Sequence, residues 1–299
     1  MRFSKRPRGS FREKVDSFRF IHENKARASV SVLCAKLGVT RAGYYAWRKR
    51  EKSKRALTNE ALLDSIRQVH RDSRHCYGYP RVHAELKRRG IICGKHRIAR
   101  IMRENGVVGK KAVKFKRHSH RHHLQRDSRN LLLEHGLVTR KNEVWVGDVS
   151  FIRVGREWAY LSVVMDRYTR KIIGWTLSKK TGAELVAESL LMAWQEESPQ
   201  AGLIFHSDQG TEYASNLYQR TLKERGIRIS MSRKGHCWDN AFMESIFHSL
   251  KTEMVYFNHF QRLEEATAYI MDYIRFYNHE RLHSGLGYQI PSECERMAA

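Results

Sequence analysis

Three acids far apart in the chain sit where oxygen-ligand chemistry could be done. Asp148 falls inside the apolar, β-branched stretch EVWVGDVSFIRV, where a carboxylate between Val146 and Phe151 must be satisfied by something. Asp208 follows the apolar run Leu203–Phe205 in GLIFHSDQGTEY, where a short strand would stop. An acid at such a point is commonly a turn residue that hydrogen-bonds its own neighbouring backbone, and a lone carboxylate does little chemistry at neutral pH. If the two stretches are neighbouring strands, however, the two carboxylates approach each other and repel unless a proton or a cation lies between them. The third acid, Glu244 in WDNAFMESIFHSLKTEM, lies off the packing stripe of Phe242, Ile246 and Leu250. Lys251, seven residues on, returns to within about 20° of the same bearing at about 100° per residue. One helix face thus offers a carboxylate for metal and an ammonium for phosphate. A set of two Asp and one Glu suits Mg²⁺, with Mn²⁺ as a substitute, because these ions take few protein ligands and keep positions for water and phosphate oxygens.

The elements that must position these groups follow from pattern. EVWVGDVSFIRV, EWAYLSVVMDRYT and KIIGWTLS are short, aromatic and β-branched, with turn-like links at Gly155-Arg156 and Thr169-Arg170, which predicts an antiparallel meander. Beyond it, TGAELVAESLLMAWQEE reads as helix, GLIFHS as strand, EYASNLYQRTLKERG as helix, IRISMS as strand and NAFMESIFHSLKTEM as helix. Strand and helix now alternate, which favours parallel additions to the same sheet.

The first half of the chain is helical and basic. In SVSVLCAKLGVTRAGYYAWRKR, Val32, Leu33 and Leu37 have helical spacing, Gly38 bends the chain and Thr40 is placed to cap a second helix carrying Arg41 and Arg48. That is a helix-turn-helix suited to DNA, or a helical hairpin packed on another protein surface. YGYPRVHAELKRRGIICGKHRIARIMRENGV repeats the pattern, with Pro80 in a first turn and Asn105-Gly106 as a stop. Its apolar side is Val82, Leu86, Ile98, Ile101 and Met102; Arg81, Lys87, Arg88, Arg89, Lys95, Arg97, Arg100 and Arg103 make the other side a DNA-facing or a solvated basic surface. Next, Lys110, Lys111, Lys114 and Lys116 open a run without an acid until Asp127, read as a strap that orders along a phosphate backbone. His118, His120, His122 and His123 within it lack a Cys or carboxylate partner, so no zinc is assigned. Over the whole chain 56 Lys and Arg face 31 Asp and Glu, a net charge of +25, which attracts polyanions. Five widely separated cysteines form no C-x-x-C pair, so neither a disulfide framework nor a zinc finger is indicated. Without an apolar run of about 18 residues, no membrane role is expected.

With Asp148 upstream and thirty-five residues between Asp208 and Glu244, the set resembles the D, D, thirty-five, E signature of retroviral-integrase-like transposases. WVGDVSFI, HSDQGTEY, DNAFMESIFHSLKTE and YNHERLHSGLGYQIP resemble the OrfB transposase of the insertion-sequence-three family, over nearly the whole chain. Ser150 and Phe151 stand where relatives often carry Thr and Tyr. The resemblance implies an α/β fold: an RNase H-like mixed five-stranded sheet with flanking helices, preceded by all-α helix-turn-helix modules. It divides the chain into helix-turn-helix modules over 1–56 and 57–108, a basic linker over 109–138 and an integrase-type catalytic domain over 139–299. It also implies that Asp148, Asp208 and Glu244 hold two Mg²⁺ ions for cutting and joining double-stranded DNA at element ends and target, with Lys251 near the scissile phosphate. Expected partners are further copies of the chain, as a homo-oligomer on DNA, and a fused or bound upstream OrfA-type protein; the expected place is the bacterial cytoplasm, at the nucleoid. A stand-alone RNase H-like nuclease and a non-catalytic DNA-binding regulator are the alternatives.

Other residues have plainer readings. Arg167 and Arg170 are expected to pair with Asp166, Asp239 and Asn240 to cap the Glu244 helix, and His206, His236 and Cys237 to pack or touch DNA. Asn278, Arg281 and His283 are read as packing of the last helix or as substrate contacts.

Overall fold

The computed structural model describes residues 14–51, 53–110, 129–233 and 236–298, in two compact units, Met1–Leu62 and Leu63–Ala299. The first holds α1 (Lys14–Asn24), α2 (Val30–Leu37) and α3 (Arg41–Lys49). The hydroxyl of Ser29 accepts the Val32 N–H at 3.4 Å and that of Thr40 accepts the Gly43 N–H at 3.1 Å, so α2 and α3 each start on a side-chain cap. Gly38, at φ 70°, ends α2 in the left-handed region that the expected bend needs. Ile21, Leu33, Cys34 and Tyr44 form the core, with Phe18 and Trp47 packed against it. The boundary between the units falls within α4 (Lys54–Asp72).

In the second unit, α5 (Tyr79–Arg88) and α6 (Lys95–Glu104) bury Val82, Leu86, Ile98, Ile101 and Met102, the five residues of the expected apolar side. Much of the basic side of α5 is engaged by carboxylates of the protein itself, although Lys87, Arg88 and Arg89 remain exposed. Arg81 pairs with Glu253, Arg88 with Glu85 and Glu293, and Arg89 with Glu85 and Asp72. These cations are spent on carboxylates within the protein.

After α7 (Leu132–His135), β1 (Val144–Val154), β2 (Glu157–Asp166) and β3 (Ile172–Ser178) form the meander, each pair antiparallel. α8 (Ala183–Glu197) crosses to β4 (Ile204–Ser207), which pairs parallel with β1. Where one helix was expected, the chain forms α9 (Thr211–Ala214) and α10 (Asn216–Glu224), because the Ser215 hydroxyl accepts the Tyr218 N–H and starts a new helix. β5 (Arg228–Met231) adds parallel to β4, giving the order β3-β2-β1-β4-β5. The mixed five-stranded sheet with helices on both faces is the expected architecture.

Alternation along β1 sends Trp145 and Val149 to a core with α8 and α10, and Val144, Val146, Ile152 and Val154 to a core with α11 (Ala241–Glu253) and α12 (Leu263–His279). α8 lies so close to β3 that a Cβ at Gly174 would stand 2.1 Å from the Ser189 carbonyl oxygen, so only glycine fits there. α13 (Pro291–Ala298) closes the chain. Among the described residues no helix is long and apolar enough to cross a membrane.

Candidate active site

Parallel pairing of Val146 with His206 aligns β1 and β4 so that Asp148, on β1, and Asp208, one residue past the end of β4, each follow two residues later. Each acid engages nearby backbone. Asp148 Oδ1 accepts the Val149 N–H at 2.7 Å, and Asp208 Oδ1 accepts the Gly210 N–H at 2.9 Å. The turn role expected of an acid at a strand end is therefore real for Asp208, and it coexists with the proximity to Asp148. A buried hydroxyl registers both acids. Tyr213 on α9 is 2% exposed, and its Oη has no hydrogen-bond partner among the described residues. A Cβ on Gly147, next to Asp148, would stand 3.4 Å from that Oη. Burial first, then the charges of Tyr218, Asp148, Asp208 and Glu212, push the phenol well above its ordinary range.

Glu244 arrives on α11, whose start is tied to the same strand: Asn240 Nδ2 donates to the Gly147 carbonyl at 3.2 Å. Glu244 is four residues further, about 6 Å of rise. The expected capping by Asp239 and Asn240 does not occur. Asn240 makes no side-chain cap bond, while Asp239 accepts from Arg233 at 3.0 and 3.1 Å and from Asn130 at 2.9 Å. The Arg233 bonds draw the Asp239 carboxyl down to about 2. Both residues fix the turn that delivers α11 rather than its first N–H groups. Asp148, Asp208, Glu244 and Lys251 are all half-buried. Among the described residues, no group of three or more His, Cys, Asp or Glu is gathered closely enough to hold a metal ion. The three carboxylates come from adjoining elements, and an orphaned hydroxyl lies beside two of them. Two Asp and one Glu are the hard oxygen donors that a divalent cation such as Mg²⁺ takes.

The remaining expected residues divide clearly. Asp166 does not pair with Arg167 or Arg170; it accepts the N–H groups of Asn142, Tyr168 and Thr169 and the Thr169 hydroxyl, closing the β2–β3 turn. The two arginines stack on Phe242 instead, at 5.1 and 3.7 Å from the ring centroid. His206 is fully buried between Ser230 Oγ at 2.8 Å and Ser232 Oγ at 3.1 Å, so it packs. His236 lies against the exposed Trp238 ring. Asn278 brackets the Ile172 backbone at 2.9 and 2.8 Å, Arg281 is buried on Glu253, and the half-buried His283 ring stands edge-on to Tyr277, all protein contacts. Arg41, Arg48 and Lys95 are exposed and Arg97 is half-buried. Lys110 Nζ donates to the Glu253 carbonyl at 2.8 Å and stands 5.0 Å over Phe257. Lys111, Lys114, Lys116 and the four clustered histidines lie outside the described residues. Sequence reasoning missed Tyr213 and the Asn240 tether, although both lie inside the motif words.

A sheet of this order, with acids on β1, past β4 and on a helix crossing back over β1, defines the integrase-core class. The Integrase core domain family models match residues 138–237 and 225–291, and an HTH-like domain model matches residues 58–115. The insertion element IS600 31 kDa protein of Shigella sonnei is 38% identical over 256 residues, covering 85% of this chain and 94% of that protein. The transposase for insertion sequence element IS904 of Lactococcus lactis is 37% identical, covering 83% and 98%. Transposase InsF for IS3A of Escherichia coli is 36% identical over 280 residues, covering 92% and 97%. The HTLV-2 integrase catalytic core domain, solved in complex with magnesium, aligns at 15% identity and a TM-score of 0.42, covering 52% of this chain and 97% of that one. The chain belongs to the insertion-sequence-three family of transposases. It is an enzyme of the transposase and integrase class, and its HTH-like and integrase domains imply DNA as partner.

Proposed function

We propose that the chain cuts and joins DNA strands at the ends of an insertion sequence, with Asp148, Asp208 and Glu244 holding Mg²⁺, or Mn²⁺ in its place. The observation that carries this reading is the convergence of β1, β4 and α11: one acid on β1 and one just past the end of its parallel neighbour β4, near one buried hydroxyl, and a third on a helix tethered to β1. When bound, the cation supplies Lewis-acid activation of a water or 3′-hydroxyl and neutralises charge at the leaving oxygen. The protein's own part is placement. Asn240 and the Asp239–Arg233 pair hold the start of α11, so Glu244 and Lys251 are presented from a fixed helix. Lys251 contacts the phosphate backbone beside the cut.

Recognition belongs to the helical modules, 1–56 and 57–108, with Arg41 and Arg48 on α3 and Lys95 and Arg97 on α6 contacting DNA. The basic linker, 109–138, tracks the backbone through Lys111, Lys114 and Lys116, with Lys110 as its anchored first cation. The active assembly is a homo-oligomer on element-end and target DNA, joined or fused to an upstream OrfA-type protein, in the bacterial cytoplasm. Asp208→Asn tests the site: with Mg²⁺ and DNA carrying the element's own ends, cleavage and joining should vanish while DNA binding stays intact or tightens slightly. Strand joining by that variant would refute the assignment.

A further inference from the structure

The helix-turn-helix pattern of α5 and α6 contains a division of labour. α5 and the segments flanking it are bonded to the integrase core at several points. Just before it, Arg74 pairs with Asp272 on α12 and lies 4.5 Å over the Phe276 ring. The Tyr77 hydroxyl accepts the Leu282 N–H at 2.6 Å and donates to the Glu280 carbonyl at 3.4 Å. Within α5, Arg81 Nη1 stands 3.5 Å from Glu253, the last residue of α11. At its end, Arg88 makes a two-pronged pair with Glu293 on α13, at 2.8 and 2.6 Å. Lys110, beyond α6, returns to the Glu253 carbonyl. By contrast Lys95, His96 and Arg103 on α6 are exposed.

Five connections, from Arg74, Tyr77, Arg81, Arg88 and Lys110, spread over three core helices and the segment after α12, remove rotational as well as translational freedom. A tether that merely kept the module nearby would need one. Two of the five, from Arg81 and Lys110, end on Glu253 of the helix that carries Glu244 and Lys251. We infer that α5 is a docking helix, with Arg81 and Arg88 as positioning residues, that fixes the distance and angle between DNA held by α6 and the phosphate at the acidic site. The inference rests on the transposase reading above and adds that the cleavage position is set by this docking.

The Arg88–Glu293 pair gives the cleanest test because both side chains are partly exposed, at 37% and 28%, so reversal need not unfold the core. The full chain is incubated with Mg²⁺ and DNA carrying its element ends, and nick positions are mapped to the nucleotide for Arg88→Glu, Glu293→Arg and the double reversal. Each single reversal should shift or scatter the nicks while total nicking persists, and the double should restore the wild-type position. Single variants that cut at the wild-type nucleotide, or a double that fails to restore it, would overturn the inference. Should a reversal abolish cooperative melting, Arg88→Gln and Glu293→Gln are mapped under the same criteria. Loss of nicking in the wild-type protein would instead strike the catalytic reading itself.

Discussion

Glu253→Gln removes one charge and almost no volume from the most buried ionic cluster of the larger unit. Glu253 is 8% exposed and Arg281 2% exposed at the side chain. Arg281 donates to both carboxylate oxygens at 2.8 and 2.7 Å, the Tyr273 hydroxyl donates at 2.9 Å, and Arg81 adds a second cation at 3.5 Å. Burial opposes ionisation, yet Arg281, Arg81 and Tyr273 hold the carboxyl below its ordinary range. With Gln, one oxygen still accepts a hydrogen bond, but two guanidinium groups face each other without a counter-charge in a site where water cannot screen them. Breaking a buried pair from one side costs about 3–5 kcal/mol. For a unit of this size each kcal/mol lowers Tm by about 2–4 °C, so the drop should be roughly 6–20 °C. Removing Arg281 as well, as Glu253→Met with Arg281→Met, should recover much of that loss, because the uncompensated charge goes with its partner. Thermal and urea unfolding of the single and double variants measure both terms. A Glu253→Gln variant within about 1 kcal/mol of wild type would refute the claim that the cluster is dry and charge-balanced.

Replacing Lys111, Lys114 and Lys116 with Ala should lower the log–log salt slope of DNA binding by about three if each meets a phosphate, and an unchanged slope would take the strap off DNA. Lys110→Ala, whose ammonium is bonded within the protein, should lower Tm and leave the slope nearly untouched. His283 is pulled down to about 4, by burial and then by Arg281, Arg170 and Arg81. The unfolded chain therefore takes up a proton below about pH 6.5 that the folded chain refuses, and this contribution, roughly 2 kcal/mol for a half-buried ring, drains away as pH falls from about 6.5 to about 4. Urea unfolding at both ends of that window should show His283→Gln losing less stability than wild type; equal losses would mean the ring titrates normally.

The strands of the sheet were legible because their signal is local: β-branched and aromatic runs with period two, ended by turn residues. The β1–β4 adjacency that brings Asp148 to Asp208 was legible only as a condition, since parallel pairing is a non-local choice. α4 was overlooked although Leu62, Ile66 and Val69 recur on one face and are all buried; a densely charged flank hid the stripe. The partners of α5 are more instructive. Arg81, Arg88 and Arg89 on one helix look the same in sequence whether they meet phosphate, water or protein carboxylates. For Arg81 and Arg88 the distant partners, Glu253 and Glu293, lie more than 160 residues away, whereas Arg89 pairs nearby with Glu85 and Asp72. Asp239 and Asn240 failed as caps for a related reason: their side chains found longer-range partners in Arg233, Asn130 and Gly147.

Helix α11 joins these observations geometrically. At about 100° per residue, Lys251 lies about 20° from Glu244 around the axis, whereas Glu253 lies about 180° away. The same thirteen-residue helix can therefore turn Glu244 and Lys251 toward a DNA strand while its opposite side is locked by Arg281 and Arg81. A displacement of α5 is transmitted to α11 at Glu253, about two and a half turns from Glu244, with no loop between to absorb it. Packing of Ile246 and Leu250 on the sheet prevents α11 from rolling to relieve such a displacement. The acid and the docking charge are thus mechanically one object, which is why a surface ion pair as distant in sequence as Arg88–Glu293 should alter where the chain cuts.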